Sequence, residues 1–251
     1  MIYFIGGGFG SPDYLTVKAS KILRKADVVL FSRLIDRDIL SVCKRNCKLV
    51  SLEGLKDDKI TKLLKEYQNG TTVYLTDGDF AFFGSIQNSF DFCIKNHIKY
   101  EIIPGISAVS ASTSMLSQEM MIPNVSQCTI VTYAEDKGLM LENQKLSELA
   151  KHNATLFIYM AQIEQFSYIS DSLLQGGYKK DTPVVIIKYL LSKNAEVIYT
   201  TIEKLSDITT EQYNGLAVMM IGDVFRKTYQ SVSSNFRIAE NSNWRNKMFS
   251  D

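Results

Sequence analysis

The residues best placed to do chemistry stand together in Thr76-Asp77-Gly78-Asp79. They follow an apolar run at 73–75 that reads as a short buried parallel strand, and a helical pattern resumes after Gly84. Polar groups at the carboxyl end of such a strand lie where open α/β sheets bind ligands. Taken alone, the stretch also reads as an ordinary strand-to-helix turn; its company in the chain gives it weight. The run Gly6-Gly7-Gly8-Phe9-Gly10-Ser11-Pro12-Asp13 follows another apolar strand. Its glycines let backbone amides approach a ligand or allow a tight turn, although serine stands at position 11 where a GxGxxG pattern needs glycine. Pro104-Gly105-Ile106-Ser107-Ala108 closes a third strand and starts a helix, with a serine in capping position. Nucleophilic chemistry has little to draw on, because there is no evident Cys-His or Ser-His-Asp arrangement. Cys43, Cys47, Cys93 and Cys128 form no CxxC pair, and His97 and His152 are the only histidines, so no metal site is expected.

These stretches need a scaffold, and 251 residues suffice for one large domain or two modest ones. The chain is 45% apolar and 22% charged with a net charge of +1, which gives no support to a nucleic-acid or polyanion binder. No apolar run approaches the roughly 18–20 residues of a membrane span. The N-terminus enters a strand without a basic stretch, so no signal peptide is expected, and unpatterned cysteines fit a reducing cytoplasm.

Apolar strands at 2–5, 26–31, 47–51, 73–75 and 100–103 alternate with helices at 13–25, 36–44, 58–68, 85–96 and after 108. That alternation argues for a parallel α/β sheet. After about residue 120 the texture changes. Strands at 128–133, 155–160, 183–189, 197–201 and 216–221 come with helices only at 145–151 and 163–175, which predicts a mixed sheet. Residues 134–144 read as a polar loop. The expected organisation is α/β with two domains, each a sheet flanked by helices and with a ligand cleft between them. The N-terminal domain is 1–116, the C-terminal one 117–228, and 229–251 is a polar tail.

Seven segments in order resemble the tetrapyrrole (corrin and porphyrin) methylases. The run 6–16 (GGGFGSPDYLT) is similar to that family's GAGPGDPELLT opening, and Ala26-Asp27-Val28-Val29-Leu30 to its ADVVLY strand. The run 76–84 resembles SGDPSIYG, and 104–108 resembles PGISA. The run 122–127 (IPNVSQ) is close to the LPEVSQ of the branch that methylates carbon 11 of precorrin-4. TLFIYM at 155–160 is similar to TLVIYM, and GGY with DTPV at 176–184 to GGYPPDTPV.

The resemblance covers residues 2 to about 224. It implies an S-adenosylmethionine-dependent C-methyltransferase of cobalamin biosynthesis, acting on a small-molecule tetrapyrrole, cytoplasmic and homodimeric. It implies that Phe9, Gly78, Asp79, Phe80 and Phe82 line the cofactor and that Ser107 and Ala108 meet its methionine part. Tyr159, Met160, Leu190 and Ala217 are expected to form the adenine pocket. Asp79 is the candidate catalytic carboxylate, since proton loss after methylation goes either to it or to water. Arg33, after the second strand, is the candidate for the substrate's carboxylates, ahead of Lys188. Three positions depart from the pattern: Phe9 and Phe80 replace prolines and Ser11 replaces aspartate. They leave open a family member with another acceptor, or a binding module that has lost the chemistry.

Overall fold

The computed structural model describes residues 1–82, 84–134, 140–208 and 217–226. These form two units: Met1–Ala111 with Leu190–Lys193, and Ser112–Tyr189 with the described residues from Asn194 onward.

In the first unit the strands are β1 (Ile2–Gly6), β2 (Val28–Phe31), β3 (Lys48–Ser51), β4 (Thr72–Thr76) and β5 (Tyr100–Ile103). The helices are α1 (Val17–Leu23), α2 (Arg37–Leu40), α3 (Asp57–Glu66), α4 (Gln87–Lys95) and α5 (Ala108–Leu116), the last crossing into the second unit. All strands are parallel, in the order β3-β2-β4-β1-β5. The central strands are mostly apolar because both faces are covered, and β4 is buried along its whole length, its terminal Thr72 and Thr76 included. Ile2, Phe4, Val28, Leu30 and Tyr74 point to one layer with Leu64 of α3 and Cys93 of α4. Ile5, Val29, Val73 and Leu75 point to the other, with Ala19 and Leu23 of α1. Phe4 anchors the first layer, its ring 4.8 Å from Phe90 edge-on and 5.5 Å from Tyr74.

Helix α1 starts later than the sequence pattern implies. Pro12–Tyr14 forms a single 3-10 turn, and Thr16 caps the helix by accepting the Ala19 N–H at 3.2 Å. The helix expected from 85 begins at Gln87, because Ser85 has a φ of +46° that no α-helix accommodates.

The second unit carries β6 (Thr129–Tyr133), β7 (Thr155–Ala161), β8 (Pro183–Lys188), β9 (Glu196–Thr201) and β10 (Ala217–Ile221), with α6 (Leu146–Ala150) and α7 (Phe166–Gln175). Its order is β6-β7-β10-β8-β9; only the β6–β7 pair is parallel, so the sheet is mixed as expected. Leu156, Ile158, Ile186 and Met219 pack on Phe166, Ile169 and Leu173 of α7. Of the polar loop expected at 134–144, residues 135–139 lie outside the described residues, and 142–144 form a 3-10 turn. The tail beyond 226 also lies outside them. Among the described residues, no helix is long and apolar enough to cross a membrane, and no cluster of three metal-ligating side chains is found.

Asp27 ties the start of β2 to two other segments. Its carboxylate accepts from Lys44 Nζ at 2.6 Å and from the Thr71 N–H at 2.9 Å. The Lys44 bond first, and the Thr71 N–H second, hold its pKa below the ordinary 3.8. A carboxyl depressed in the folded state stabilises it above its unfolded value and loses that contribution as pH falls through the folded one. The stability difference between the wild type and Asp27→Asn is therefore expected in full at pH 7 and to close below pH 3.8. Urea midpoints across that range measure it, and a difference that grows in acid contradicts this account.

Candidate active site

β1 and β4 are neighbours, yet the chain leaves them in opposite directions. From β1 it crosses past β4 to β2, and from β4 it crosses past β1 to β5. With right-handed crossovers this sends α1 to one face of the sheet and α4 to the other, as the two core layers show. The crevice outside the carboxyl ends of β1 and β4 is thus the switch point where such sheets hold ligands.

Three loops meet there through their backbones. Gly8 and Gly78 exchange N–H···O bonds at 3.0 and 2.8 Å, and the Gly7 N–H donates to the Thr76 carbonyl at 2.7 Å. Gly105, opening the loop after β5, lies so close that a Cβ on it would stand 2.6 Å from the Gly6 carbonyl. Gly78 has a φ of +59°, and the Phe9 ring lies where its Cβ would be.

Asp79 locks this arrangement. Its Oδ1 accepts the Ala81 N–H at 2.6 Å, and its Oδ2 accepts the Gly105 N–H at 3.0 Å, joining the β4 loop to the β5 loop. Phe80 turns its ring away onto Phe90 of α4, 6.1 Å edge to face, and joins the core layer around Phe4. Phe82 is exposed. Ser107 caps α5, its Oγ accepting the Ser110 N–H at 3.3 Å, and Ala108 is buried.

Sequence reasoning placed Asp77 in the acidic turn but gave a role only to Asp79. Asp77 is half-buried and takes the Ser32 hydroxyl on Oδ1 at 2.7 Å, while its Oδ2 has no partner among the described residues. Ser32 follows β2, on the other side of β4 from β1, so the bond draws the β2 loop to the switch point. The signal was the second acid in Asp-Gly-Asp, but its partner lies 45 residues away. Arg33, next to Ser32, is exposed.

The candidates in the second unit cluster around the start of β10. Ala217 pairs with Ala161 of β7 and Lys188 of β8. The register then slips: 158–161 of β7 face 217–219 of β10, a bulge in which Met160 adopts a φ of +53°. Met160 is consequently 42% exposed, while Tyr159 is buried. β8 stops at Lys188, short of the expected 189, because Tyr189 turns to a φ of +52°. Leu190, buried, groups with the first unit. Positive φ at Met160, Tyr189 and Leu191, none of them glycine, is backbone strain of about 1–3 kcal/mol each, the kind that collects at ligand sites. Lys188 is buried and paired with Glu196. Burial raises the pKa of Cys43 to about 12 and of Cys93 to about 11, so neither thiol is a nucleophile at neutral pH.

The family model of the tetrapyrrole (corrin/porphyrin) methylases matches residues 1–206. The chain belongs to this family. Among the methylase's relatives, the cobalt-precorrin-4 C(11)-methyltransferase of Methanocaldococcus jannaschii is 28% identical over 92% of this chain and 91% of its own. A uroporphyrinogen-III C-methyltransferase of Bacillus subtilis is 30% identical over 91% and 92%. The solved cobalt precorrin-4 methyltransferase superposes with a TM-score of 0.84 at 27% identity, covering 89% of the methylase and 95% of that structure. The methylase is thus an enzyme of methyl transfer with the two-sheet fold expected of it.

Proposed function

We propose that the methylase transfers a methyl group from S-adenosylmethionine to carbon 11 of a precorrin-4-type tetrapyrrole. The likeness to the solved cobalt precorrin-4 methyltransferase, running nearly the whole length of both chains, carries the choice of acceptor. When bound, S-adenosylmethionine supplies a methyl on a sulfonium, open to in-line displacement by an electron-rich ring carbon. Such a carbon needs alignment more than a strong base, and orientation is worth roughly 7–11 kcal/mol. The residues present fit that task. Glycine-lined loops at the switch point bring backbone close to a ligand, with Gly78, Asp79, Phe82, Ser107 and Ala108 as proposed contacts. The strained bulge at Met160, next to Tyr159 and Ala217, supports an adenine contact, as the buried side chain of Leu190 does.

The two acids divide the work in this reading. Asp79, with a backbone N–H on each oxygen, holds the donor loop in shape. Asp77, with an oxygen to spare, accepts the proton the tetrapyrrole loses once the new C–C bond has formed. Arg33 is the proposed contact for the acceptor's carboxylates.

Titration calorimetry with S-adenosylmethionine and S-adenosylhomocysteine tests the donor, and binding of neither by the folded protein refutes it. Incubation with labelled donor and a series of precorrin intermediates is expected to label precorrin-4 or its cobalt form. Label on uroporphyrinogen III instead refutes the acceptor.

A further inference from the structure

Two cysteines lie at the end of the first sheet remote from the switch point. Cys47 immediately precedes β3, so Cys43 and Cys47 sit toward the amino ends of the parallel strands. The turns after α2 fold the chain tightly there: the Cys43 N–H donates to the Leu40 carbonyl at 3.1 Å and the Cys47 N–H to the Lys44 carbonyl at 2.9 Å. Both side chains pack against the core layer that holds Val29 and Ile39, and both are only partly buried. The thiols face each other, with the Cys43 S–H donating toward the Cys47 sulfur. The Cys47 S–H is directed at the Lys48 carbonyl, 3.8 Å away. The segment is pinned from outside as well. Lys44 Nζ bonds to the Asp27 carboxylate at 2.6 Å, and the Lys48 N–H donates to the Asp27 carbonyl at 2.9 Å.

Packing alone asks for less than this. A structural cysteine behaves as a small hydrophobe, and Cys93, fully buried in the other core layer, is one. Cys43 and Cys47 differ from it in being reachable from solvent and in having each other. They also differ between themselves. Burial raises both thiols, but at Cys47 the Cys43 S–H and the Lys44 ammonium oppose it, so Cys47 is the one an oxidant meets first.

We propose that Cys43 and Cys47 form a reversible dithiol–disulfide site, oxidised by hydrogen peroxide and reduced by a low-molecular-weight thiol. The Cys47 sulfur attacks the O–O bond, keeps one oxygen as a sulfenic acid and releases water. The Cys43 sulfur then displaces the hydroxyl from the Cys47 sulfur. Its proton passes to that departing hydroxyl as the S–S bond forms, so no free Cys43 thiolate is required. In sum two thiols give up two electrons and two protons, and one peroxide becomes two waters. Two equivalents of the small thiol reverse the change by exchange and leave as their own disulfide. The site stands independently of the methyl-transfer reading.

Peptide mapping of the full chain tests it, after excess hydrogen peroxide and with the remaining thiols alkylated before digestion. Trypsin cuts after Lys44 and Arg45, between the two cysteines, so the disulfide appears as two peptides joined. The expected result is loss of Cys43 and Cys47 together from the alkylated pool, linked to each other and restored by dithiothreitol. The Cys128→Ser variant, which removes the exposed thiol, should form the same link. In Cys43→Ser the link is lost and Cys47 should be trapped by dimedone as the sulfenic acid. The site is overturned if the wild type yields no Cys43–Cys47 link, if links to Cys128 or between chains dominate, or if Cys47 reaches the sulfinic acid while Cys43 is still alkylated. Failure of dimedone to label Cys47 in Cys43→Ser would overturn its place as the first thiol to react.

Discussion

Gly105→Ala is expected to abolish measurable binding of S-adenosylhomocysteine and to lower the stability of the first unit. The new methyl would stand 2.6 Å from both the carbonyl carbon and the oxygen of Gly6, and closer still to the Gly78 carbonyl. Those neighbours are backbone, so no side chain can rotate away. Gly6 ends β1 in register with Thr76 of β4, and Gly78 is bonded on both its N–H and its carbonyl to Gly8. Relief must come from moving the β5 loop outward. That shift breaks the bond from the Gly105 N–H to Asp79 and moves Ser107, the cap of α5. Overpacking of this kind costs about 1–3 kcal/mol, and the rigid surroundings put it near the upper end. Thermal unfolding followed alongside calorimetric titration measures both effects. A Gly105→Ala protein that melts like the wild type and binds the ligand normally would show that the three loops do not form one unit.

The same glycine illustrates how far the sequence could be read. Pro104-Gly105 was legible as the end of a strand and the start of a helix, because proline and glycine punctuate locally. That its Cα lies between Gly6 and Gly78 was not, since contacts among residues 6, 78 and 105 depend on strand order, which no local pattern encodes. The strands themselves were visible because burial on both faces leaves continuous apolar runs. Their order was not: β10 inserts between β7 and β8, and its bulge at Met160 decides what that strand end presents. Resemblance placed Phe80 among the cofactor residues. Its ring turns to Phe90 because α4 offers an aromatic face that buries it, a preference visible only once α4 is packed. Asp79 stood out as a carboxylate in need of partners, and it has two backbone N–H groups. Asp77 was visible as an acid but was given no role, because its partner, Ser32, comes from a different loop.

The two acids can be told apart by the way each fails. Asp79→Ala removes the acceptor for both the Ala81 and the Gly105 N–H groups. Hydrogen bonds to a charged group contribute about 1.5–3 kcal/mol each, less here because Asp79 is only half-buried. Releasing both loops is expected to weaken S-adenosylmethionine binding by about 10- to 100-fold. Asp79→Asn keeps one acceptor and turns an amide N–H toward the other donor, so it should fall between the wild type and alanine. A loop-holding role raises the dissociation constant and leaves turnover at saturating donor nearly intact. Asp77→Asn should do the reverse. Its side chain can still accept from Ser32, so the donor binds normally, but the oxygen left for a proton is gone and turnover falls by about 10²–10⁴. Single-turnover rates measured at saturating donor, with affinities from calorimetry, give the two quantities separately. Normal affinity with lost turnover in Asp79→Asn would move the proton-accepting role to Asp79 and leave Asp77 as a tether for the β2 loop.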